Sequence, residues 1–310
     1  MKEGFYRFLI ALSKLMGLWV FRVIAWGIAS GYFFLFPGRV AISIRFYRAL
    51  FPLRPWGYHL WCAWSQYHHF THVFLDRFLL FEDRNVTFTN EGWEYLEDAT
   101  NGKGGGIILM SHLGNWEIAA HQLLKISGRD NSGMKLLLYL GRKRKEQIER
   151  AQKESLVRSG VKVIAVGRDG GSPFDIVEGI NFLRAGGLVS LTGDRKWRED
   201  QRSIPVRFLG HEAFLPETPF VFALLSGVPL LIFFAYRTGR QAYHYITMPP
   251  LYVHARGRRD RQEAIREAAQ AYAKLLEDAV RNHPFEWYHF EPFIGRKLDE
   301  SGSERSNFEH

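Results

Sequence analysis

Short apolar runs recur between residues 86 and 248 at intervals that leave room for a helix, and this alternation narrows the fold most. The runs at 105–110, 135–140, 161–166, 187–192, 205–209, 228–236 and 241–248 read as strands, with Val86-Thr87-Phe88 as an earlier one. Residues 115–127, 145–158, 174–185, 217–226 and 260–281 have helical spacing. Such a succession specifies an α/β fold, a mostly parallel mixed sheet flanked by helices. Thr238-Gly239-Arg240 marks a hairpin and hence an antiparallel edge. The last helix is strongly amphipathic, as a helix covering a sheet face must be.

Three strands deliver polar residues at their carboxyl ends, the edge where open parallel sheets bind ligands. In Ser111-His112-Leu113-Gly114-Asn115-Trp116-Glu117, His112 sits at a strand-to-helix turn and Glu117 in the first helical turn, where the helix dipole keeps it ionised. A carboxylate reaching an imidazole fixes its tautomer and makes it a better base, so this is a dyad for taking a proton from a hydroxyl. Asn115 lies between them at the turn. The strand GLVSLT runs into Gly193-Asp194-Arg195-Lys196, and KLLLYL into Gly141-Arg142-Lys143-Arg144-Lys145. The bland alternative for these two is a capping aspartate and a solvated basic loop. The chain has neither a GxSxG elbow nor a cysteine–histidine framework, which leaves no candidate for a covalent enzyme intermediate. The glycine-rich stretch 160–174 lacks the dinucleotide and P-loop patterns and reads as a turn.

These motifs carry a resemblance. SHLGNWE resembles the histidine-x4-acid motif of bacterial membrane acyltransferases, and more closely that of the late acyltransferases of lipid A biosynthesis. GLVSLTGDRKW (187–197) resembles that family's second strand-end motif, with Asp194 at the matching aspartate. The stretch 205–237 is similar to its strand, glycine turn, proline-led helix and following strand, and HPFEWYHFEPF (283–293) to its closing aromatic segment. The resemblance implies an acyl carrier protein thioester as donor and a glycolipid such as a lipid A precursor as acceptor. Transfer would be direct, with His112 and Glu117 catalytic and no cofactor beyond the donor. Substrate contacts are expected from Asn115, Asp194 and Arg195, with Arg142 or Arg158 matching the family's arginine that holds phosphate or phosphopantetheine. The chain departs from the pattern at Arg195, where glutamine or histidine is commoner, and in the middle block. A lysophospholipid or another hydroxylated lipid is the alternative acceptor, and a non-catalytic, basic, membrane-anchored adaptor the alternative class.

Composition fits this reading. The chain has 310 residues, 46% of them hydrophobic and 15% aromatic, enough for a large core. A net charge of +9 points to an anionic partner, a membrane surface or an acidic carrier; the basic residues are scattered and no nucleic-acid motif is present. Cys62 stands alone, so no intrachain disulfide or thiolate metal cluster is possible.

Residues 15–36 carry one charge, Arg22, and as a helix would reach roughly 33 Å, which predicts a membrane-spanning anchor. An in-plane helix with Arg22 on its polar edge, a signal peptide and a buried helix are the competing readings. Pro37-Gly38-Arg39 ends the segment. Arg45, Arg48 and Arg54 then precede the next acidic residue, Asp76, which places the body on the cytoplasmic side of a bacterial inner membrane. Residues 56–81 mix tryptophan, tyrosine, phenylalanine and histidine at helical spacing, suited to a headgroup layer or to packing on the core. His68 and His72 lack an acidic neighbour and an HExxH context, so no metal site is expected. The expected divisions are an anchor at 1–40, an aromatic helical segment at 41–88, the α/β domain at 89–295 and a disordered tail at 296–310.

Overall fold

The computed structural model describes residues 18–81, 87–101, 104–115, 118, 135–141, 162–166, 173–196, 200–239 and 241–298. In chain order they form helices α1 (Leu18–Leu35), α2 (Pro37–Leu50) and α3 (Trp56–Phe81), then strand β1 (Thr87–Glu91), α4 (Trp93–Asn101), β2 (Gly106–Gly114), β3 (Leu136–Gly141) and β4 (Lys162–Val166). There follow α5 (Pro173–Arg184), β5 (Leu188–Thr192), β6 (Ser203–Phe208), β7 (His211–Pro216), α6 (Thr218–Ser226), β8 (Leu230–Gly239), β9 (Ala242–Thr247) and α7 (Arg261–Asn282).

Seven strands form one sheet in the order β1-β9-β8-β2-β5-β3-β4. Every neighbouring pair is parallel except β8 with β9, which are antiparallel at the hairpin marked in the sequence. β2 is central and buried on both faces. Ile107 and Leu109 join a core with Val189, Leu191, Ile232 and α7, whereas Ile108 joins Leu188, Leu231, Phe233 and Leu96 of α4. An unbroken apolar run such as GIILM is what a doubly covered parallel strand requires. The β2, β5 and β3 strands are adjacent and parallel, so their carboxyl ends share one edge.

The 205–209 run is a strand of a separate two-stranded hairpin rather than of the main sheet, pairing with β7, which the pattern of apolar runs does not reveal. Leu209 and Gly210, both at positive φ, make its two-residue turn, as strand twist favours. α7 holds the hairpin: Gln270 bonds both backbone groups of Arg207, and Glu277 accepts from the Leu209 N–H. The inward face of α7 is Ile265, Ala268, Ala269, Tyr272, Ala273 and Leu276, the amphipathic spacing expected.

Pro37 opens α2 with a residue that has no N–H to extend α1, and the two helices meet at 93°. Among the described residues no single helix is long and apolar enough to cross a membrane; this bent pair meets length and composition only together. Residues 15–17 of the expected span lie outside the described residues. α1 turns Val20, Phe21, Ala29 and Phe33 inward and leaves Trp19, Val23, Trp26, Phe34 and Leu35 exposed. Helix α3 realises the predicted 56–81 segment and packs on α1 through Trp26, Phe33, Trp64 and Tyr67. His68 of α3 bonds the Trp64 carbonyl and lies 3.1 Å from Ser30 Oγ. Gln66 donates to the Trp287 carbonyl and Tyr47 to that of Pro284, so α2 and α3 are braced against the chain's closing segment.

Candidate active site

The end of β2 arches away from its neighbour. Met110 is opposite Phe233 and Gly114 opposite Ala235, so four steps along β2 match two along β8. The arch returns at Gly114, whose φ of +72° and close approach to β8 exclude a side chain: a Cβ there would lie 1.7 Å from the Ala235 carbonyl oxygen. Ser111, His112 and Leu113 fill the arch, and Ser111 Oγ accepts the Leu113 N–H. This places His112 over the end of β5.

Asp194 waits there, two residues past β5 and buried, held in place by the Gly193 N–H donating to the Met110 carbonyl. His112 Nδ1 lies 2.8 Å from Asp194 Oδ1, and the His112 backbone N–H donates to Oδ2 at 2.8 Å. A carboxylate only accepts, so Nδ1 carries the proton. That leaves Nε2 as the lone-pair nitrogen, with no partner among the described residues, on a ring 26% exposed.

The closing segment completes the shell. Gly114 N–H donates to the Glu286 carbonyl and Tyr288 N–H to that of His112, so 286–288 runs antiparallel to the arch. Trp287 then donates its indole N–H to Asp194 Oδ2 at 2.9 Å, and His289 Nε2 lies 3.0 Å from the Asp194 carbonyl oxygen. Phe46, Phe208, Phe293 and the His289 ring pack around the indole. Burial alone would raise the Asp194 carboxyl, but the charge of His112 and the bonds from its ring and backbone outweigh that, and Asp194 is held well below the usual carboxylate range. Burial also pushes His289 down to about 4.

Beside this shell, Arg237 of β8 lies 3.3 Å from the buried Asp76 of α3, which also receives the Tyr243 hydroxyl. The Arg237 backbone N–H donates to Glu286. This ties α3, the sheet and the closing segment together behind the arch.

Of the residues singled out in the sequence, His112, Asn115, Asp194 and Arg195 fall at this edge. Asp194, expected to contact substrate, lies against the imidazole. Arg195 is 3.5 Å from Glu291. The Asn115 side chain is buried, with neither amide atom partnered among the described residues. Glu117, Arg142 and Arg158 lie outside the described residues, as do most of 115–127, all of 145–158 and the 301–310 tail. Sequence reasoning missed Trp287 and His289, although HPFEWYHFEPF holds an indole and an imidazole donor amid aromatics.

The arrangement is an imidazole oriented by a buried ionised carboxylate, its ring partly exposed at a sheet edge. No curated protein matches the chain. The model of the bacterial lipid A biosynthesis acyltransferases matches residues 80–293, a span that takes in the arch, Asp194 and the closing segment, and the chain therefore belongs to that acyltransferase family.

Proposed function

We propose that the protein moves a fatty acyl chain from the thioester of an acyl carrier protein to a hydroxyl of a lipid A precursor, with His112 as general base. The observation that carries this reading is the imidazole bonded through Nδ1 to buried Asp194, with Nε2 unpartnered among the described residues. Nε2 takes the hydroxyl proton, the acceptor oxygen bonds to the thioester carbonyl carbon, and the C–S bond breaks as the tetrahedral intermediate collapses. The departing thiolate recovers the proton from the imidazolium. Asp194 stays ionised throughout and stabilises that cation. A general base supplies roughly 100- to 10,000-fold, so positioning and oxyanion stabilisation must supply the rest.

Glu117 keeps the place the motif gives it, as a second carboxylate of the centre, and Asn115 offers its amide to substrate. Arg142, Arg158 and Arg195 are proposed to hold the donor's phosphopantetheine or an acceptor phosphate. Carrier proteins are acidic, and the net charge of +9 favours their encounter, so transfer should slow as salt is raised. The exposed apolar face of α1 supports seating in the inner membrane, and the run of Arg45, Arg48 and Arg54 ahead of the next acidic residue supports a body on the cytoplasmic side.

The test supplies the full chain with acyl carrier protein thioester and a lipid A precursor and reads the acceptor mass. One acyl increment is expected, lost in a His112→Ala variant that melts as wild type. Acylation of a lysophospholipid alone would refute the acceptor, and full turnover by His112→Ala would refute the base.

A further inference from the structure

A cavity lies away from the proposed acyl-transfer centre. It has a volume of about 700 Å³ and opens between α2, the start of α3, the tip of the β6–β7 hairpin and residues 295–297. Arg45, Arg48, Arg296 and Lys297 line it together with His59, over apolar surface from Ile44 and Pro52; among the described residues no carboxylate lines it. Arg45 donates to the Gly295 carbonyl, and neither Arg45 nor Arg48 has an acidic partner among the described residues. Only Arg296 is offset, by Glu212 at 3.4 Å.

His59 adds an independent observation. It is 5% exposed, and its Nε2 bonds the Phe51 carbonyl at 2.9 Å, whereas its Nδ1 is buried with no partner among the described residues. A buried polar nitrogen left unmet is costly, and a hydrogen-bond donor from outside the chain would relieve that cost. At the mouth, Trp56 and the neighbouring Leu53 are exposed, Leu53 almost fully. None of the lining residues touches His112 or Asp194. On another face of α2, Phe46 packs against Trp287, so the cavity backs onto the catalytic shell.

We infer that this cavity binds the phosphate headgroup of an anionic bilayer phospholipid, at a site separate from the acyl-transfer centre. Guanidinium groups match phosphate in charge and geometry, His59 Nδ1, the acceptor nitrogen because Nε2 donates to the Phe51 carbonyl, accepts from a headgroup hydroxyl, and Leu53 and Trp56 meet the start of the acyl chains. A phospholipid held here would fix the tilt of the body relative to the bilayer on which its acceptor resides.

Native mass spectrometry of the full chain in a non-ionic detergent tests this, with phosphatidylglycerol and phosphatidylcholine titrated separately. Phosphatidylglycerol should bind about tenfold more tightly, and Arg45→Glu/Arg48→Glu should weaken it by about tenfold or more. His59→Phe should weaken it about threefold, and Arg48→Gln, at an exposed position that cannot unfold the chain, by an intermediate amount. The same charge change at exposed Arg258 and Arg259, Arg258→Glu/Arg259→Glu, should leave binding within about twofold. Equal affinity for the two lipids, or an equal loss in the Arg258/Arg259 control, would overturn the site. An adduct with inorganic phosphate but none with phosphatidylglycerol, or displacement of the lipid by acyl carrier protein, would overturn the lipid assignment. Because the readout is lipid mass rather than turnover, it stands or falls apart from the acyl-transfer reaction.

Discussion

His112 and Asp194 are 82 residues apart in sequence, yet the Nδ1 of one lies 2.8 Å from the Oδ1 of the other. Two features of the fold produce the contact. The arch at the end of β2 lifts the histidine out of the sheet, and the neighbouring parallel strand β5 ends with the aspartate beneath it. The closing segment then pairs with the arch and supplies the indole that shares the carboxylate.

That shared carboxylate makes Trp287 a positioning residue. Trp287→Phe preserves the ring packing but takes one of the two donors from Oδ2, leaving a buried ionised oxygen under-bonded. A loss of about 1–3 kcal/mol is expected in chemical denaturation, together with a lower kcat. Unchanged stability and rate would show that the indole N–H does nothing for Asp194.

The arch itself can be tested at Gly114. Gly114→Ala puts a Cβ into the Ala235 carbonyl at positive φ and should destabilise by more than about 3 kcal/mol. Gly210 has nearly the same φ, +73°, but nothing within 4 Å of its would-be Cβ, so Gly210→Ala should cost only about 1–2 kcal/mol. Equal losses at the two sites would mean that close approach to β8 is unimportant.

Stability should also fall on mild acidification. Burial, opposed by the Asp194 charge and reinforced by Arg195, lowers His289 from 6.5 to about 4, and burial followed by the Arg237 charge does the same to His72. A lowered histidine is neutral in the folded chain, and the unfolded chain binds the extra proton. Its contribution is therefore complete above about 6.5 and is lost as pH falls towards about 4. Wild type should melt lower at about pH 5 than at about pH 7, and His289→Gln should narrow that difference. An unchanged difference would contradict a neutral, buried His289.

Much of this was legible in the sequence, and the rest fails for identifiable reasons. Period-two and apolar runs located β2, β3, β4, β5, β8 and β9 to within a few residues, and α3, α5, α6 and α7 equally well, because each is an apolar run or has strong apolar periodicity. Helix α4 escaped because its nine residues are mostly polar, and β7 because nothing local marks it as a strand beyond its partner β6. At the site, spacing can relate His112 to Glu117, five positions on, but not to Asp194, whose proximity depends on which strands are neighbours. Trp287 and His289 gain their roles from pairing between the closing segment and the arch, and the composition of that segment says only that it is aromatic.

Attachment to the membrane can be checked at α1. Replacing exposed Trp19, Trp26, Phe34 and Leu35 by serine leaves the inward face intact and should release the protein from membranes on carbonate washing. If wild type is itself released by carbonate, the anchor lies in the bilayer plane. If the variant stays bound as firmly as wild type, the exposed face of α1 is not the membrane contact.

The most direct measurement of the central claim is kcat for Asp194→Asn, with Glu117→Gln alongside, using carrier-bound donor and lipid A precursor. The amide keeps the shape but cannot stabilise the imidazolium and no longer fixes the proton on Nδ1. A fall of about 100-fold or more in kcat is expected, with KM for both substrates within about threefold and a chain that remains folded. A folded Asp194→Asn enzyme that keeps wild-type kcat while Glu117→Gln loses it would contradict the account and return the orienting role to Glu117.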